Sequence, residues 1–140
     1  MINMDKILDL AIEKDASDIH LIVENKPILR IRRELVPIEE MDVLTVDDMN
    51  DMYDYLVRGN IDKDEVFNST RKLDTSYEYK NVRLRVNISL SNDIPLCTLR
   101  IIKSVLPPYE SLGLPDIIRR ETYQPQGLIL VTGKTNSGKT

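Results

Sequence analysis

The chain has 140 residues, of which 41% are hydrophobic and 30% are charged, and its net charge is −4. This length allows one compact domain with a core plus a short additional segment, while an acidic balance without a basic tract argues against nucleic-acid binding. A single cysteine, Cys97, rules out a disulfide framework within the chain and favours a reducing compartment. No apolar run approaches the roughly 20 residues of a membrane span, and residues 1–6 do not resemble a signal peptide, so we expect a soluble cytoplasmic protein.

The first part of the chain has the pattern of one helix followed by short strands. Apolar residues at helical spacing predict a helix over 4–14. Alternation of apolar and polar residues then predicts strands near 19–23, 28–32 and 35–38. These elements indicate an α+β fold.

A second helix is predicted from a capping signal. Thr45 and Asp48 form a variant of the capping box, with Asp in place of the usual Glu, just before an apolar stripe at helical spacing. Gly59 is suited to end this helix at the C′ position. A further short helix is predicted at 63–68.

From residue 75 onward the hydrophobic period changes from helical spacing to two. Strands are predicted at 75–80, 82–89 and 96–103, joined by tight turns near Asn81 and at 91–93. The pattern is typical of an antiparallel meander with one buried and one polar face.

A proline-rich segment, 107–126, follows this block and contains a short predicted helix at 116–121. We interpret it as a linker between an N-terminal domain, 1–106, and the start of a second domain at 127–140. Residues 127–132 form a near-continuous apolar run, which predicts a strand buried on both faces of a parallel sheet.

The last eight residues match the phosphate-loop pattern G-x-x-x-x-G-K-[ST] at every defined position. Glycines let successive backbone N–H groups turn inward around an anion, the lysine places a positive charge on the β- and γ-phosphates, and the final hydroxyl suits Mg²⁺. A Gly/Ser-rich turn is the alternative reading. The predicted nucleotide-binding residues are Gly133, Lys134, Thr135, Asn136, Ser137, Gly138, Lys139 and Thr140, with Thr140 the Mg²⁺ ligand.

Motifs along the whole chain resemble those of the secretion ATPases, nearest to the type IV pilus retraction (twitching motility, PilT-like) branch. The sequence A-S-D-I-H-L at 16–21 resembles the family's A-S-D-[IL]-H-[LF] signature. Further matches follow in the family's order: D-T-S-Y at 74–77, R-L-R-V-N at 83–87, L-R-I-I at 99–102, L-G-L-P at 112–115 and G-L-I-L-V-T-G at 127–133.

This resemblance implies a PAS-like N-terminal domain joined to a RecA-like ATPase domain, with ATP and Mg²⁺ held between them. It also implies a homo-hexameric ring at the cytoplasmic side of the inner membrane, at the pilus base, which acts on a pilus platform protein and withdraws pili. The signature starts within 20 residues of the N-terminus. That favours retraction, because extension and type II secretion ATPases usually carry an additional domain first.

The chain departs from the family pattern at two places. Arg32-Arg33-Glu34 stands where the family often has a D-G hairpin turn, although arginine resists the positive φ of such turns. The loop also carries Lys134 and Asn136 where Pro and Gly are commoner. The chain stops at Thr140 and so has no catalytic residues of its own, and we expect these 140 residues alone to be inactive, without bound ATP or Mg²⁺.

Arginines at alternate positions mark the polar face of the predicted meander. From the residues alone, Arg83, Arg85 and Arg100 are best interpreted as a solvated sheet face. The family resemblance instead assigns Arg85 and Arg100 to the ATP phosphates, and guanidinium forks suit that role.

The histidine, the cysteine and two of the methionines are expected to have structural roles. His20 is expected to bond to backbone or a nearby Asp, since it has no partners at metal-ligand spacing. Cys97, Met49 and Met52 are expected in the core. Two other functions stay open: a PAS-like ligand-binding or interaction module, and a phosphate-loop NTPase with a DNA-related task, which the acidic charge disfavours.

Overall fold

The computed structural model describes residues 2–57, 60–102 and 108–133. The chain divides into two compact units, 1–104 and 105–140. Among the described helices, none is long and apolar enough to cross a membrane.

The first unit contains three helices and a six-stranded antiparallel sheet with the strand order β3-β2-β1-β6-β5-β4. This confirms the predicted α+β class. The elements are α1 (Met4–Glu13), β1 (Asp18–Leu21), β2 (Ile28–Ile31), β3 (Glu34–Pro37), α2 (Val46–Val57), α3 (Ile61–Thr70), β4 (Lys72–Tyr79), β5 (Val82–Ser91) and β6 (Ile94–Ile102).

The helices form where the sequence supplies caps and apolar stripes. Asn3 caps α1 by accepting a hydrogen bond from the Lys6 backbone N–H at 2.9 Å. The predicted capping box of α2 is confirmed: the Thr45 N–H donates to Asp48 Oδ2 at 3.0 Å, and the Asp48 N–H donates to Thr45 Oγ1 at 3.2 Å. The predicted end of α2 at Gly59 lies outside the described residues.

The predicted meander β4-β5-β6 is confirmed. One face of it is covered by helices, and the other is open to solvent. Leu84, Val86 and Ile88 of β5 are fully buried, whereas Arg83 and Arg85 between them are exposed. The two methionines of α2 and the cysteine of β6 also lie in the core, as predicted: Met49, Met52 and Cys97. Strand ends differ from prediction by two or three residues, which is ordinary for element boundaries.

The hairpin between β2 and β3 forms although it lacks glycine. Arg32 and Arg33 adopt φ angles of 48° and 79°, and Ile31 pairs with Glu34 across them. Positive φ at both central residues is the type I′ turn that suits a two-residue hairpin. The strand pairing therefore holds two arginines in a conformation that their side chains disfavour.

The second unit contains a 3₁₀ turn, Tyr109–Leu112, and a short helix, α4 (Asp116–Glu121), at the predicted position. The predicted strand at 127–132 is not confirmed, because residues 127–133 make no strand pairing in this chain. Its apolar side chains stay outside, and Leu128 and Leu130 are 81% and 73% exposed. A strand needs a hydrogen-bonded neighbour, and the described part of this unit contains none.

Candidate anion-binding site on the open sheet face

Four charged residues form a line across the open face of the sheet. Arg30 of β2 lies opposite Asp18 of β1, Asp18 lies opposite Arg100 of β6, and Arg100 lies opposite Arg85 of β5. We call these four residues the arginine row. Because residues directly opposite in antiparallel strands share a face, the row brings together the two arginines that the family resemblance singled out.

Asp18 is the centre of the row. Its side chain is 5% exposed, and it is the one buried charged residue in the part of the chain that the structure describes. Oδ1 accepts a hydrogen bond from Arg100 Nε at 3.0 Å, and Oδ2 lies 3.4 Å from Arg30 Nε. Ser17 Oγ also donates to Oδ2 at 2.8 Å. A buried carboxylate is tolerated when it is paired and hydrogen-bonded in this way.

Arg85 is held by a carboxylate from the edge strand. Its Nε donates to Asp74 Oδ1 at 3.1 Å and its Nη2 donates to Oδ2 at 2.7 Å. The hydrogen bond from Arg85 is the main reason that the pKa of Asp74 is lowered, and the same bond raises the pKa of Arg85. Asp74 therefore stays ionised and the pair stays fully charged near neutral pH.

The row presents positive charge to its surroundings. The Arg85 and Arg100 side chains are 61% and 58% exposed, whereas Arg30 is 29% exposed. The row together with the neighbouring Asp74 has three arginines and two aspartates. This group carries a net charge of +1, on a chain whose net charge is −4. Exposed guanidinium groups side by side suit an anion with several oxygens, such as a phosphate.

His20 lies one position further along the open face. Its Nδ1 is 3.4 Å from Thr98 Oγ1, and Thr98 is its partner across β1 and β6. The expected backbone or Asp partner is therefore wrong, because the partner of the ring is the Thr98 hydroxyl. Nε2 is buried without a hydrogen-bond partner among the described residues. Burial, and then the charge of Arg30, lower the pKa of His20.

The described residues provide neither a metal site nor a reactive thiol. No group of three or more His, Cys, Asp or Glu side chains there could hold a metal ion. Burial raises the pKa of the Cys97 thiol, so it is an inert core residue. Of the predicted phosphate loop, Gly133 is described and belongs to the second unit, while 134–140 lie outside the described residues.

Sequence reasoning missed the two aspartates and Arg30 as members of this site. Asp18 lies inside the A-S-D-I-H-L motif and Asp74 is the first residue of the D-T-S-Y motif. Both aspartates therefore belong to segments that resemble the family's motifs. Their role became visible only with the strand order, because β1 and β6 are neighbours in space although Asp18 and Arg100 are 82 positions apart.

Comparison with known proteins finds relatives of the chain, although no protein-family model matches it. The chain is 33% identical, over 99% of its length, to the type IV pilus retraction ATPase PilT of Pseudomonas aeruginosa. It is 31% identical, again over 99%, to the uncharacterized protein YggR of Escherichia coli. The chain is therefore similar, over almost all of its length, to part of a PilT-like type IV pilus ATPase. It spans about 40% of the length of these relatives.

Solved structures of PilT-like ATPases have the same fold. The crystal structure of the pilus retraction motor PilT with bound ADP matches 99% of the chain, with a TM-score of 0.80 and 30% identity, over 40% of its own length. The ATPase DotB of Legionella pneumophila matches 97% of the chain, with a TM-score of 0.80 and 27% identity, over 38% of its own length. The α+β architecture is therefore that of the N-terminal region of PilT.

Proposed function

We propose that this chain is the N-terminal part of an ATPase motor that drives type IV pilus retraction. Its 1–106 segment is a PAS-like domain, 107–126 is a linker, and 127–140 begins a RecA-like ATPase domain with its phosphate loop. Support comes from the PilT relatives, which carry the retraction ATPase name, and from the phosphate-loop sequence. The complete protein is proposed to act as a homo-hexamer on a platform protein, in the cytoplasm at the inner-membrane pilus base.

The arginine row is the observation that carries the proposal. Phosphoryl transfer needs positive groups around the transferred phosphate, because charge is spread over its oxygens in the transition state. Arg85 and Arg100 lie directly opposite each other and are more than half exposed. We propose that both contact the ATP phosphates in the complete protein, where Arg85 stabilises the charge that develops during transfer.

The phosphate-loop sequence is proposed to supply further phosphate contacts in the complete protein. Backbone N–H groups from Gly133 to Gly138 would surround the phosphates, and Lys139 would neutralise the β- and γ-oxygens. Mg²⁺, when bound with the nucleotide, is proposed to be held by the Thr140 hydroxyl and to neutralise charge on the same oxygens.

These 140 residues alone are proposed to lack turnover and to bind nucleotide very weakly at most. The apolar segment ahead of the loop has no strand to pair with in the described part of the second unit, and Leu128 and Leu130 remain exposed. A binding site needs support from rigid elements, and the described residues 127–133 supply no strand for that support. Calorimetric titration with ATP and Mg²⁺ tests this, and micromolar affinity would contradict it.

The proposed function is tested by arginine substitutions in the complete gene product. Arg85→Ala is expected to lower kcat by roughly 10³-fold, the lower range for an arginine that stabilises phosphoryl transfer. Arg71→Ala is the matched control, because Arg71 is 59% exposed and pairs with Asp93 away from the row. An unchanged rate in the Arg85 variant would end the phosphate-contact proposal.

Retraction is distinguished from the related functions by a different measurement. Deletion of the gene is expected to leave pili assembled but unable to retract, whereas an extension or type II secretion ATPase would be needed to assemble fibres or export protein. The interaction-module alternative predicts that the complete product does not hydrolyse ATP at all.

A further inference from the structure

The Nε atom of each arginine in the row faces a carboxylate from a neighbouring strand, and Arg85 is held by two hydrogen bonds. Arg85 donates its Nε to Asp74 at 3.1 Å, and Arg100 donates its Nε to Asp18 at 3.0 Å. Arg30 points its Nε at the other oxygen of Asp18, at 3.4 Å. In each case a carboxylate from an adjacent or next strand holds the inner part of the guanidinium group.

A guanidinium group has two edges that can bind an oxyanion. The inner edge consists of Nε and one Nη, and the outer edge consists of the two Nη atoms. Asp74 occupies the inner edge of Arg85, through Nε and Nη2. Nη1 of Arg85 has no hydrogen-bond partner among the residues that the structure describes, so the outer edge is available to a second anion.

Holding the inner edge restricts where the outer edge points. An arginine side chain loses much rotamer freedom when it binds a ligand, and fixing it in advance lowers that cost. Two bonds to one carboxylate fix both the position and the plane of the guanidinium group. The lowered pKa of Asp74 keeps this carboxylate charged in the neutral range.

We propose that Asp74 is a positioning residue: it holds Arg85 by the inner edge and so aims the outer edge at a nucleotide phosphate. This inference rests on the proposed function, since it presumes that Arg85 meets the phosphates. Asp74 contacts Arg85 and not the nucleotide. Its effect on catalysis therefore passes entirely through the arginine.

A purely structural role for Asp74 makes a different prediction. The pair is well exposed, with Asp74 49% and Arg85 61% accessible, and exposed ion pairs contribute little to stability. If Asp74 only stabilised the sheet, its removal would change thermal stability slightly and leave the kinetic constants alone. If Asp74 competed with ATP for Arg85, its removal would raise activity.

The test compares four variants of the complete gene product: Asp74→Ala, Asp74→Asn, Arg85→Ala and the double variant. We expect Asp74→Ala to lower kcat about tenfold with Tm and the KM for ATP little changed, since misplacement of a catalytic group lowers the rate of the chemical step. Asp74→Asn keeps one acceptor oxygen and is expected to lose less. In the Arg85→Ala background, Asp74→Ala is expected to have no further effect.

Asp93→Asn is the control for loss of one carboxylate. Asp93 forms an exposed ion pair with Arg71 at the β5–β6 turn, on the same meander but outside the row. It is expected to keep the full rate. The following outcomes apply when Arg85→Ala is defective. A normal or raised kcat in Asp74→Ala would overturn the positioning role, and so would additive losses in the double variant. Full activity of Arg85→Ala itself would overturn the proposed phosphate contact of Arg85 and this inference together.

Discussion

The carboxylate of Asp18 in β1 accepts a hydrogen bond from Arg100 in β6 at 3.0 Å and joins residues 82 positions apart in the chain. Its other oxygen faces Arg30 of β2, so one buried group connects three strands. The three residues lie where the N-terminal strands meet the meander. The same contact therefore holds the sheet together and orients two arginines of the row.

Replacing Asp18 by Ala is expected to lower the free energy of unfolding by about 1–3 kcal/mol. Charged hydrogen bonds contribute roughly 1.5–3 kcal/mol each, but Arg100 and, less so, Arg30 can turn to water, which reduces the loss. Urea denaturation of the chain measures the change. Asp74→Ala is the matched control, because it removes a similar pair that is exposed, and an equal loss in both variants would contradict the prediction.

The periodic patterns predicted most of the first unit because each element carries its own local signal. The capping box of α2 needs only Thr45 and Asp48, three residues apart, and the period of two in β5 needs only the alternation around Leu84. Such signals are complete within a few residues. The predicted and observed elements therefore agree to within two or three positions.

The arginine row could not be predicted as a geometric unit in the same way. It depends on β1 pairing with β6 as well as with its neighbour in sequence, β2, and nothing local encodes the long-range pairing. The strand predicted at 127–132 is not confirmed, for a related reason. Its apolar residues describe a buried position, but burial needs partner strands that the described part of the second unit does not contain.

His20 is expected to make the stability of the chain fall at mildly acidic pH. Burial lowers its pKa below the ordinary value of 6.5, so the folded state binds a proton less readily than the unfolded state. This contribution is fully present above pH 6.5 and is lost as pH falls from 6.5 toward the lowered pKa. The unpartnered, buried Nε2 and the nearby Arg30 both resist the added charge.

His20→Gln isolates this effect, since His20 is the one histidine of the chain. Unfolding free energies of both proteins are measured by urea at several pH values between about 5 and 7.5, the range in which histidine titrates. We expect the wild type to lose more stability than the variant on going down this range. Parallel curves would show that His20 does not titrate differently in the folded state.

The core of the first unit is expected to be far more sensitive to truncation than the exposed apolar segment of the second. Leu99 of β6 is fully buried, so Leu99→Ala should cost about 2–5 kcal/mol through lost burial and the cavity left behind. Leu128→Ala makes the same chemical change at a side chain that is 81% exposed, and should cost less than about 0.5 kcal/mol. A cost above about 1 kcal/mol for Leu128→Ala in this chain would mean that 127–132 packs against something.

The β2–β3 hairpin offers a substitution that should stabilise the protein. Arg33 has a φ of 79°, a conformation that costs a side-chain-bearing residue roughly 1–2 kcal/mol and glycine almost nothing. Part of this gain is offset, because glycine gives the unfolded chain more freedom. Arg33→Gly is therefore expected to raise the free energy of unfolding by about 0.5–1 kcal/mol.

The same substitution at Arg83 should have the opposite sign. Arg83 lies within β5 and pairs with Ile102 of β6, so glycine there removes a side chain from a regular strand and is expected to cost about 0.5–1 kcal/mol. Urea denaturation of both variants decides the matter. Since each variant loses one arginine, a shared effect of charge would move both the same way, and opposite signs would exclude it as the cause. Destabilisation by Arg33→Gly would show that contacts of its side chain outweigh the cost of positive φ.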